Sequence, residues 1–331
     1  MRRGERLLHL VTGGAGFIGS NVAEALALRG ERVVISDWFE VGDKWRNLAG
    51  VALHDIIRPD ALFAWLGNNA SNVASVIHMG AISATTERDG DRLVSENIRL
   101  TLDLWEWCAR EQKSFIYASS AATYGDGAAG FDDDWSLAGL ARLKPLNAYG
   151  WSKHMVDRRI SRDVADGRPT PPVWAGLKFF NVYGPHEFHK GPMRSVALQL
   201  FETISKGENV KLFRSHRPDF KDGGQSRDFV YVADCVSVVE WLLTQRQIGG
   251  IFNVGSGQAR SFLDLASAAF TTLDLPADIA FTDTPIEIRD KYQYFTQANI
   301  DNLRAAGYTA DFYTLEAGVR DYMTFLKSRP G

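Results

Sequence analysis

Hydrophobic and polar positions in the first half of the chain follow two patterns, short apolar runs and longer helical repeats. The first apolar run, 8–12, passes through a glycine-rich turn into a helical repeat at 20–29. Another helical repeat occupies 91–110. This alternation is typical of a parallel sheet with crossover helices, so we predict a doubly wound α/β fold. Its further strands are predicted at 32–36, 73–79, 114–119, 173–180 and 251–254.

The alternation ends near residue 181, and apolar and polar segments are intermixed beyond it. We therefore predict two interleaved units. Residues 1–180, with about 228–255, form a nucleotide-binding domain, and residues 181–227 and 256–331 form a smaller substrate-binding lobe over the carboxyl ends of the strands. The polar segment 214–227 is predicted as a surface loop, and a lid is one role open to it.

The glycine-rich turn predicts a dinucleotide site. Gly13, Gly16 and Gly19 lie between a strand and a helix, where glycines permit a tight turn and close approach of the backbone to a pyrophosphate. The helix N-terminus presents free N–H groups to that anion. Asp37 follows at the end of the second strand, 18 positions after Gly19. This context distinguishes a Rossmann-type NAD(P) site from an ordinary glycine loop.

Composition and charge narrow the function classes. The 331 residues are 45% hydrophobic and 23% charged with a net charge of −3, so no broad basic surface indicates nucleic acid or an anionic membrane as a partner. Cys108 and Cys235 stand far apart and are predicted as buried thiols. The acidic run 132–134 is predicted as a solvated turn, and we expect no metal site. Without an 18-residue apolar span or a signal-peptide pattern, we expect a cytosolic protein.

Candidate catalytic chemistry lies in the pair Tyr149 and Lys153. Residues four apart share one helix face, and a nearby ammonium favours the phenolate form of a tyrosine whose ordinary pKa is near 10. Ser120, at the end of a predicted strand, is placed to hydrogen-bond the same alcohol or carbonyl oxygen. Read alone, the spacing also describes an exposed helical pair.

Taken together, these motifs resemble the extended short-chain dehydrogenase/reductases, which act on nucleotide sugars. Within that family the chain is most similar to the ADP-L-glycero-D-manno-heptose 6-epimerase branch, which serves lipopolysaccharide core biosynthesis. The family's dehydratases place Asp-Glu after the serine pair, where this chain has Ala121-Ala122, so a dehydratase is disfavoured. The matching segments are 12–19, 78–87, 119–120, 144–150, 179–191, 227–232, 292–297 and 302–308.

The resemblance implies a mechanism that elementary chemistry also requires. An unactivated secondary carbon cannot be inverted by deprotonation, so hydride must leave to NADP⁺ and return to the other face. Such a route calls for an acid/base on each side of the carbon, and Tyr149 and Lys190 match these positions. The alternative for Lys190 is a surface lysine that binds phosphate. A 4-epimerase or net dehydrogenase acting on another nucleotide sugar stays open, as does a nucleotide-sensing protein on an enzyme scaffold.

The choice between NADP and NAD depends on the residues around Asp37. An acidic residue here favours NAD, but the similar epimerases use NADP with a lysine nearby, which Lys44 matches. Trp38 stands where they have asparagine. We expect NADP, with NAD possible. The cofactor residues that the resemblance implies are Gly13, Gly16, Phe17, Ile18, Gly19, Asp37, Trp38, Lys44, Met79, Gly80, Ala81, Ile82, Ser83, Asn97, Lys153, Val182 and Lys190.

For the substrate, ADP-heptose, the resemblance implies contacts with an extended set of residues. Arg227 is suited to bind a diphosphate bidentately, or else forms a surface salt bridge. The similar enzymes have serine at Pro192, histidine at Gln199 and a shorter segment at 214–227. They assemble as homo-oligomers, reportedly pentamers, and we expect a homo-oligomer here. The implied substrate residues are Ser120, Asn181, Pro192, Gln199, Phe213, Ser215, Arg227 and Tyr292.

Overall fold

The structure, a computed structural model, describes residues 7–289 and 293–328, and the statements below refer to these residues. Their strands are β1 (Leu8–Thr12), β2 (Arg32–Ser36), β3 (Asp55–Ile57), β4 (Val73–His78), β5 (Ser114–Ser120), β6 (Val173–Phe179), β7 (Asn181–Tyr183), β8 (Val210–Phe213), β9 (Ser226–Tyr231), β10 (Ile248–Val254), β11 (Ala259–Ser261) and β12 (Ile279–Thr282). Their α-helices are α1 (Phe17–Leu28), α2 (Leu62–Asn69), α3 (Gly90–Leu93), α4 (Leu100–Glu111), α5 (Leu137–Ala141), α6 (Ala148–Ala165), α7 (Val196–Ser205), α8 (Val232–Thr244), α9 (Phe262–Leu273), α10 (Ile286–Arg289), α11 (Asp301–Ala305) and α12 (Leu315–Ser328).

Seven parallel strands form the central sheet in the order β10-β6-β5-β4-β1-β2-β3. Helices cover both faces because buried parallel strands must be packed on each side. The strand order reverses between β1 and β4, and at such a point a crevice opens beyond the carboxyl ends of the strands. The predicted doubly wound fold is confirmed, and the crevice positions the site.

The predicted strands and helices are present in the structure, but some of their limits differ and one strand was missed. The helix expected at 91–110 is interrupted by a π-turn, Val94–Arg99, and α1 begins three residues earlier than expected. The π-turn carries Asn97, whose side chain is buried and bonded to the loop after β4. β3 was not predicted, because its three residues include the exposed Asp55 and Ile56 and form no apolar run.

Beyond β6 the chain leaves the central sheet and builds two smaller ones. β7 pairs with β9 in parallel, β11 adds an antiparallel edge, and β8 pairs with β12. β7 begins two residues after β6 ends, and the backbone N–H of Phe180 between them donates to the carbonyl of Val254. This short connection places residues 181–183 directly beside the crevice. The division into a nucleotide-binding domain and a substrate lobe stays a prediction.

The core contains both cysteines, as predicted, and one acidic residue that was not expected there. Cys108 and Cys235 are buried. The prediction of a solvated turn at 132–134 is wrong for Asp133, which is 2% exposed. Its carboxylate accepts hydrogen bonds from the backbone of Asn253 (2.8 Å) and the amide of Asn302 (2.6 Å). The described residues contain no cluster of potential metal ligands, and no described helix is both long and apolar enough to cross a membrane.

Candidate active site

The glycine-rich turn forms a cradle at the carboxyl end of β1. Gly13 has φ +64°, and a Cβ there would collide with the backbone nitrogen of Gly80, which follows β4. A Cβ on Gly19 would collide with the carbonyl of Gly13. Gly16 precedes α1 without a side-chain cap, so the first N–H groups of that helix are left for an anion. This geometry fits the pyrophosphate of a dinucleotide.

A cleft of about 590 Å³ extends from this cradle across the ends of β4 and β5. An adjoining pocket of about 200 Å³ extends past Asp37 and contains Trp38. Lining residues that sequence reasoning missed flank the predicted motifs and include Arg92, His189 and Met193. The predicted residues that line the cleft are Gly13, Gly16, Phe17, Ile18, Gly19, Asp37, Lys44, Met79, Gly80, Ala81, Ile82, Ser83, Ser120, Tyr149, Lys153, Val182 and Lys190.

Asn97 supports the cleft from beneath without lining it. Its side chain is fully buried, accepts from the backbone N–H of Ile82 (2.8 Å) and donates to the carbonyl of Ile82 (3.0 Å) and the hydroxyl of Ser152 (3.0 Å). Asn97 thereby joins the loop after β4 to α6. A cofactor lying on this loop would contact the backbone that Asn97 holds.

Asp37 is already engaged on both carboxylate oxygens. One oxygen accepts from the backbone N–H of Ala15 in the glycine-rich turn (2.8 Å), and the other from the ammonium of Lys44 (2.6 Å). Lys44 also donates to the carbonyl of Trp38 (3.0 Å). The carboxylate is therefore paired with a cation, which reduces its repulsion of an anionic group bound nearby.

Asn47 ties the glycine-rich turn to the segment that carries Lys190, and sequence reasoning missed it. Its buried amide donates to the carbonyls of Ala15 (2.9 Å) and His186 (3.2 Å) and lies 3.1 Å from Nδ1 of His189. Asn47 belongs to the same 3-10 turn as Lys44. Only its short distance from Lys44 in the sequence marked it as a residue near the site.

Tyr149 and Lys153 lie one turn apart on α6, which begins where Asn147 accepts from the N–H of Gly150 (2.8 Å). Burial raises the pKa of the Tyr149 phenol, and a hydrogen bond from Ser120 opposes that rise. Burial also lowers the pKa of Lys153 to about 8. The predicted lowering of the Tyr149 pKa is therefore wrong in this structure: burial raises it, and Ser120, not Lys153, is the neighbour that opposes the rise.

A buried ion pair lies beneath these residues. Asp157, one turn after Lys153, accepts from the hydroxyls of Tyr117 (3.0 Å) and Ser119 (2.8 Å), and Lys178 places its ammonium 3.7 Å away. Burial raises the pKa of Asp157 and lowers that of Lys178, and each charge partly offsets the effect on the other. Because Ser119 precedes Ser120, the pair fixes the end of β5 against α6. The four-residue spacing from Lys153 to Asp157 was the available sequence signal.

Lys190 also lines the cleft, on the segment that follows β7. Its ammonium lies 5.0 Å from the centroid of the Phe17 ring at the start of α1. Burial lowers the pKa of Lys190, while the charge of Glu187 raises it. Tyr149 and Lys190 thus reach one cleft from different elements, which is the arrangement that two-sided proton transfer requires.

A second cavity of about 270 Å³ opens beside Lys190 and Val182. It combines apolar walls with polar groups, an arrangement suited to an aromatic base joined to a charged linker. Of the predicted substrate residues, Asn181 lines this second cavity. Sequence reasoning missed the other residues: Met193, Arg194, Ser195, Val196, Phe229, Phe262 and Leu265.

Apart from Ser120 and Asn181, the described residues that were predicted for the substrate line neither cavity. Gln199 is exposed and donates to the carbonyl of Arg194 (3.0 Å), and Arg227 lies against the ring of Phe262, 5.6 Å from its centroid. Ser215 hydrogen-bonds within its own loop. Pro192 and Phe213 are the other two described residues of this group. Tyr292 lies outside the described residues.

The segment 214–225 is a loop packed on Tyr294. The phenol oxygen of Tyr294 accepts from the backbone N–H of His216 (2.9 Å), and Phe220 lies against its ring, with centroids 4.7 Å apart. The guanidinium of Arg217 covers the same ring at 5.2 Å. The loop therefore has a defined attachment, although its tip is exposed.

Known proteins are similar to this chain in sequence and in fold. Residues 9–255 match the NAD dependent epimerase/dehydratase family. The chain is 46% identical to ADP-L-glycero-D-manno-heptose-6-epimerase of Nitratidesulfovibrio vulgaris (strain DP4), covering 96% of this chain and 97% of the relative, and 44% identical to the enzyme of that name from Fusobacterium nucleatum, covering 95% and 96%. The crystal structure of the Helicobacter pylori enzyme of that name aligns with a TM-score of 0.82 at 28% identity, covering 98% of both chains.

Proposed function

Because this chain belongs to the NAD dependent epimerase/dehydratase family, we propose that it inverts C6 of ADP-D-glycero-D-manno-heptose to give the L-glycero form. Relatives 44–46% identical over nearly the whole chain carry the name of that activity. The observation that carries the proposal is the presence of Tyr149 and Lys190 on one cleft beside a dinucleotide cradle. A single hydride cofactor and two proton-transfer groups are what inversion at an unactivated carbon needs.

The bound nicotinamide would supply the hydride acceptor, and the same hydride would return to the substrate. The phenolate form of Tyr149, which the hydrogen bond from Ser120 favours, takes the proton of the C6 hydroxyl on one face. Lys190 gives a proton to the carbonyl oxygen after the sugar end has turned, so that the opposite configuration forms. Lys153 binds the cofactor ribose. The roles of Tyr149 and Lys190 exchange in the reverse direction.

For the cofactor we propose NADP. Lys44 neutralises Asp37, and the second oxygen of Asp37 accepts from the backbone of Ala15, so each oxygen already has a hydrogen-bond donor within the protein. A 2′-phosphate beside this pair would meet an ammonium instead of an uncompensated carboxylate. Trp38 supplies an aromatic wall where the similar epimerases have asparagine.

We propose that the nucleotide end of the substrate occupies the second cavity. Phe229, Phe262 and Leu265 form apolar walls for a base, and Arg194 and Asn181 supply polar groups suited to the diphosphate. This cavity meets the cofactor cleft at Lys190 and Val182, which is where the sugar would lie. Assembly into a homo-oligomer, a pentamer included, and location in the cytosol stay predictions.

The test is turnover of ADP-D-glycero-D-manno-heptose, followed by NMR of the C6 configuration and by absorbance at about 340 nm. We expect inversion without net reduction of the cofactor. Tyr149→Phe and Lys190→Ala should each lower kcat by about 10² or more, the scale for a lost acid/base, while cofactor stays bound. Lys211→Ala, which truncates an exposed lysine on β8, is the matched control and should keep full activity.

Three outcomes would contradict the proposal. Steady growth of absorbance would indicate a net dehydrogenase, and absence of turnover with this sugar would favour another nucleotide sugar. Wild-type kcat in Lys190→Ala with only a raised KM would assign that residue to binding alone.

A further inference from the structure

The segment that carries Lys190 is organised around a buried carboxylate that the proposed reaction does not use directly. Glu187 is fully buried. Its carboxylate accepts from the backbone N–H and the hydroxyl of Ser195, both at 2.5 Å, and from the hydroxyl of Tyr322 at 3.0 Å. With the backbone N–H of Gly184 at 3.5 Å, four donors surround this buried carboxylate, and no ligand is needed to explain its burial.

These contacts join three parts of the chain. Ser195 is the N-cap of α7, where its hydroxyl accepts from the N–H of Leu198 (3.2 Å) while it donates to Glu187. Tyr322 lies on α12, near the C-terminus. Because the carbonyl of Glu187 accepts from the backbone N–H of Lys190 (3.0 Å), the turn with Lys190 is attached to α7 and α12 through one residue.

The same carboxylate is the negative charge that acts on the Lys190 ammonium. Burial lowers the pKa of Lys190, and the charge of Glu187 opposes this. From α1 the ammonium faces the ring of Phe17, which carries no charge. The adjacent His189 is neutral at pH 7, because burial lowers its pKa to about 4, and Tyr149 across the cleft is an uncharged phenol whose pKa is raised.

We infer that Glu187 is a positioning residue for Lys190: it holds the turn that presents the ammonium to the cleft and provides the charge that balances it. The inference rests on the proposed function, in which Lys190 is the second acid/base. It adds a residue that touches neither substrate nor cofactor and acts through the lysine alone. Two effects follow, one on the position of the ammonium and one on its titration.

The test compares Glu187→Gln, which removes the charge at nearly constant shape, with Tyr322→Phe, which removes one hydrogen bond and keeps the charge. In Glu187→Gln we expect kcat to fall at least tenfold with KM changed less than about threefold. The pH limb that belongs to Lys190 should move to lower pH by about half a unit, because a partly screened charge that favoured the ammonium is gone. In Tyr322→Phe we expect kcat within about twofold of wild type and an unmoved pH limb.

A second readout follows the lysine itself. NMR of ¹³C-labelled lysine, with the Lys190 signal identified by its loss in Lys190→Ala, gives the titration of Lys190 in each full-length protein. It should move to lower pH in Glu187→Gln and stay in place in Tyr322→Phe. If Glu187→Gln does not fold, Glu187→Asp keeps the charge but draws it away from Ser195, and it should lower kcat with the titration unmoved.

The failures of the two proposals are distinguishable. An unmoved Lys190 titration in Glu187→Gln, or an equal loss of kcat in Glu187→Gln and Tyr322→Phe, overturns the positioning role while the proposed function stands. Full activity of Lys190→Ala overturns the proposed function, and the inference with it.

Discussion

Replacing Lys178 by methionine would remove one charge from the buried pair beneath the catalytic residues while keeping most of the side-chain volume. Lys178 is 1% exposed; its ammonium lies 3.7 Å from Asp157, donates to the hydroxyl of Thr123 (3.0 Å) and lies 4.3 Å from the ring centroid of Tyr124. The variant leaves Asp157 buried with two hydroxyl donors and without its nearest cation. Breaking such a pair typically costs about 3–5 kcal/mol.

The loss in free energy of unfolding caused by Lys178→Met has an upper limit that depends on pH. Asp157 can take up a proton, which for a carboxyl of ordinary pKa near 4 costs about 4 kcal/mol at pH 7. We therefore expect the free energy of unfolding to fall by about 3–4 kcal/mol at pH 7.5. The folded-state pKa of Asp157 in the variant lies further above its unfolded value, so the penalty grows with pH. At pH 5.5 the same proton uptake costs only about 2 kcal/mol, so the loss should fall to about 2 kcal/mol.

The assay is urea denaturation at both pH values with the same NADP concentration in every sample. The double variant Asp157→Asn, Lys178→Met carries neither charge and should lie within about 1.5 kcal/mol of wild type at both pH values. Lys211→Met, on an exposed lysine, should change stability by less than about 0.5 kcal/mol. An equal loss of unfolding free energy in Lys178→Met at pH 5.5 and 7.5 would refute the argument from charge. It would also be refuted if the separate losses in Asp157→Asn and Lys178→Met added up to the loss in the double variant.

Three more predictions follow from the structure. Lys44→Ala should weaken NADP binding at least tenfold more than NAD binding, measured by calorimetry, because Asp37 would then face the 2′-phosphate alone; equal losses would contradict this. Asn47→Ala should lower kcat about tenfold and release cofactor on gel filtration, because it frees the Lys190 segment from the glycine-rich turn; retained cofactor and full activity would contradict this. Burial raises the pKa of Asp234 to about 7, above its unfolded value near 4, so the protein loses stability as pH rises from about 4 to 7 and carries the full penalty above 7. Asp234→Asn should thus stabilise the protein by about 1 kcal/mol at pH 8, an amount reduced by the N-terminal position of Asp234 in α8, and should do so far less at pH 5, as melting curves at both pH values would show.

Local sequence pattern was sufficient for six of the seven strands of the central sheet and for the cradle; β3, which has no apolar run, was missed. Apolar runs that are buried on both faces mark parallel strands, and β1 and β2 were predicted with their observed limits. The need for glycine in the turn arises partly from steric exclusion over a few residues, as the position of Gly19 against the carbonyl of Gly13 shows. The spacing of Tyr149 and Lys153 is likewise a property of one helix turn.

Local sequence pattern could not predict the burial or the partners of residues whose neighbours come from distant parts of the chain. Asp133 looked solvated within an acidic run, yet its partners are Asn253 and Asn302, more than 100 positions away. The environment of Glu187 likewise depends on a hydrogen bond from Tyr322, 135 positions later in the chain.

The difference has one physical cause. The sequence by itself determines which backbone conformations and which apolar faces are available, because these depend on neighbours along the chain. Whether a carboxylate is solvated, paired or buried depends on which atoms the fold brings around it. The pKa of Tyr149, the pairing of Asp157 with Lys178 and the attachment of Lys190 were therefore decided only by the tertiary structure.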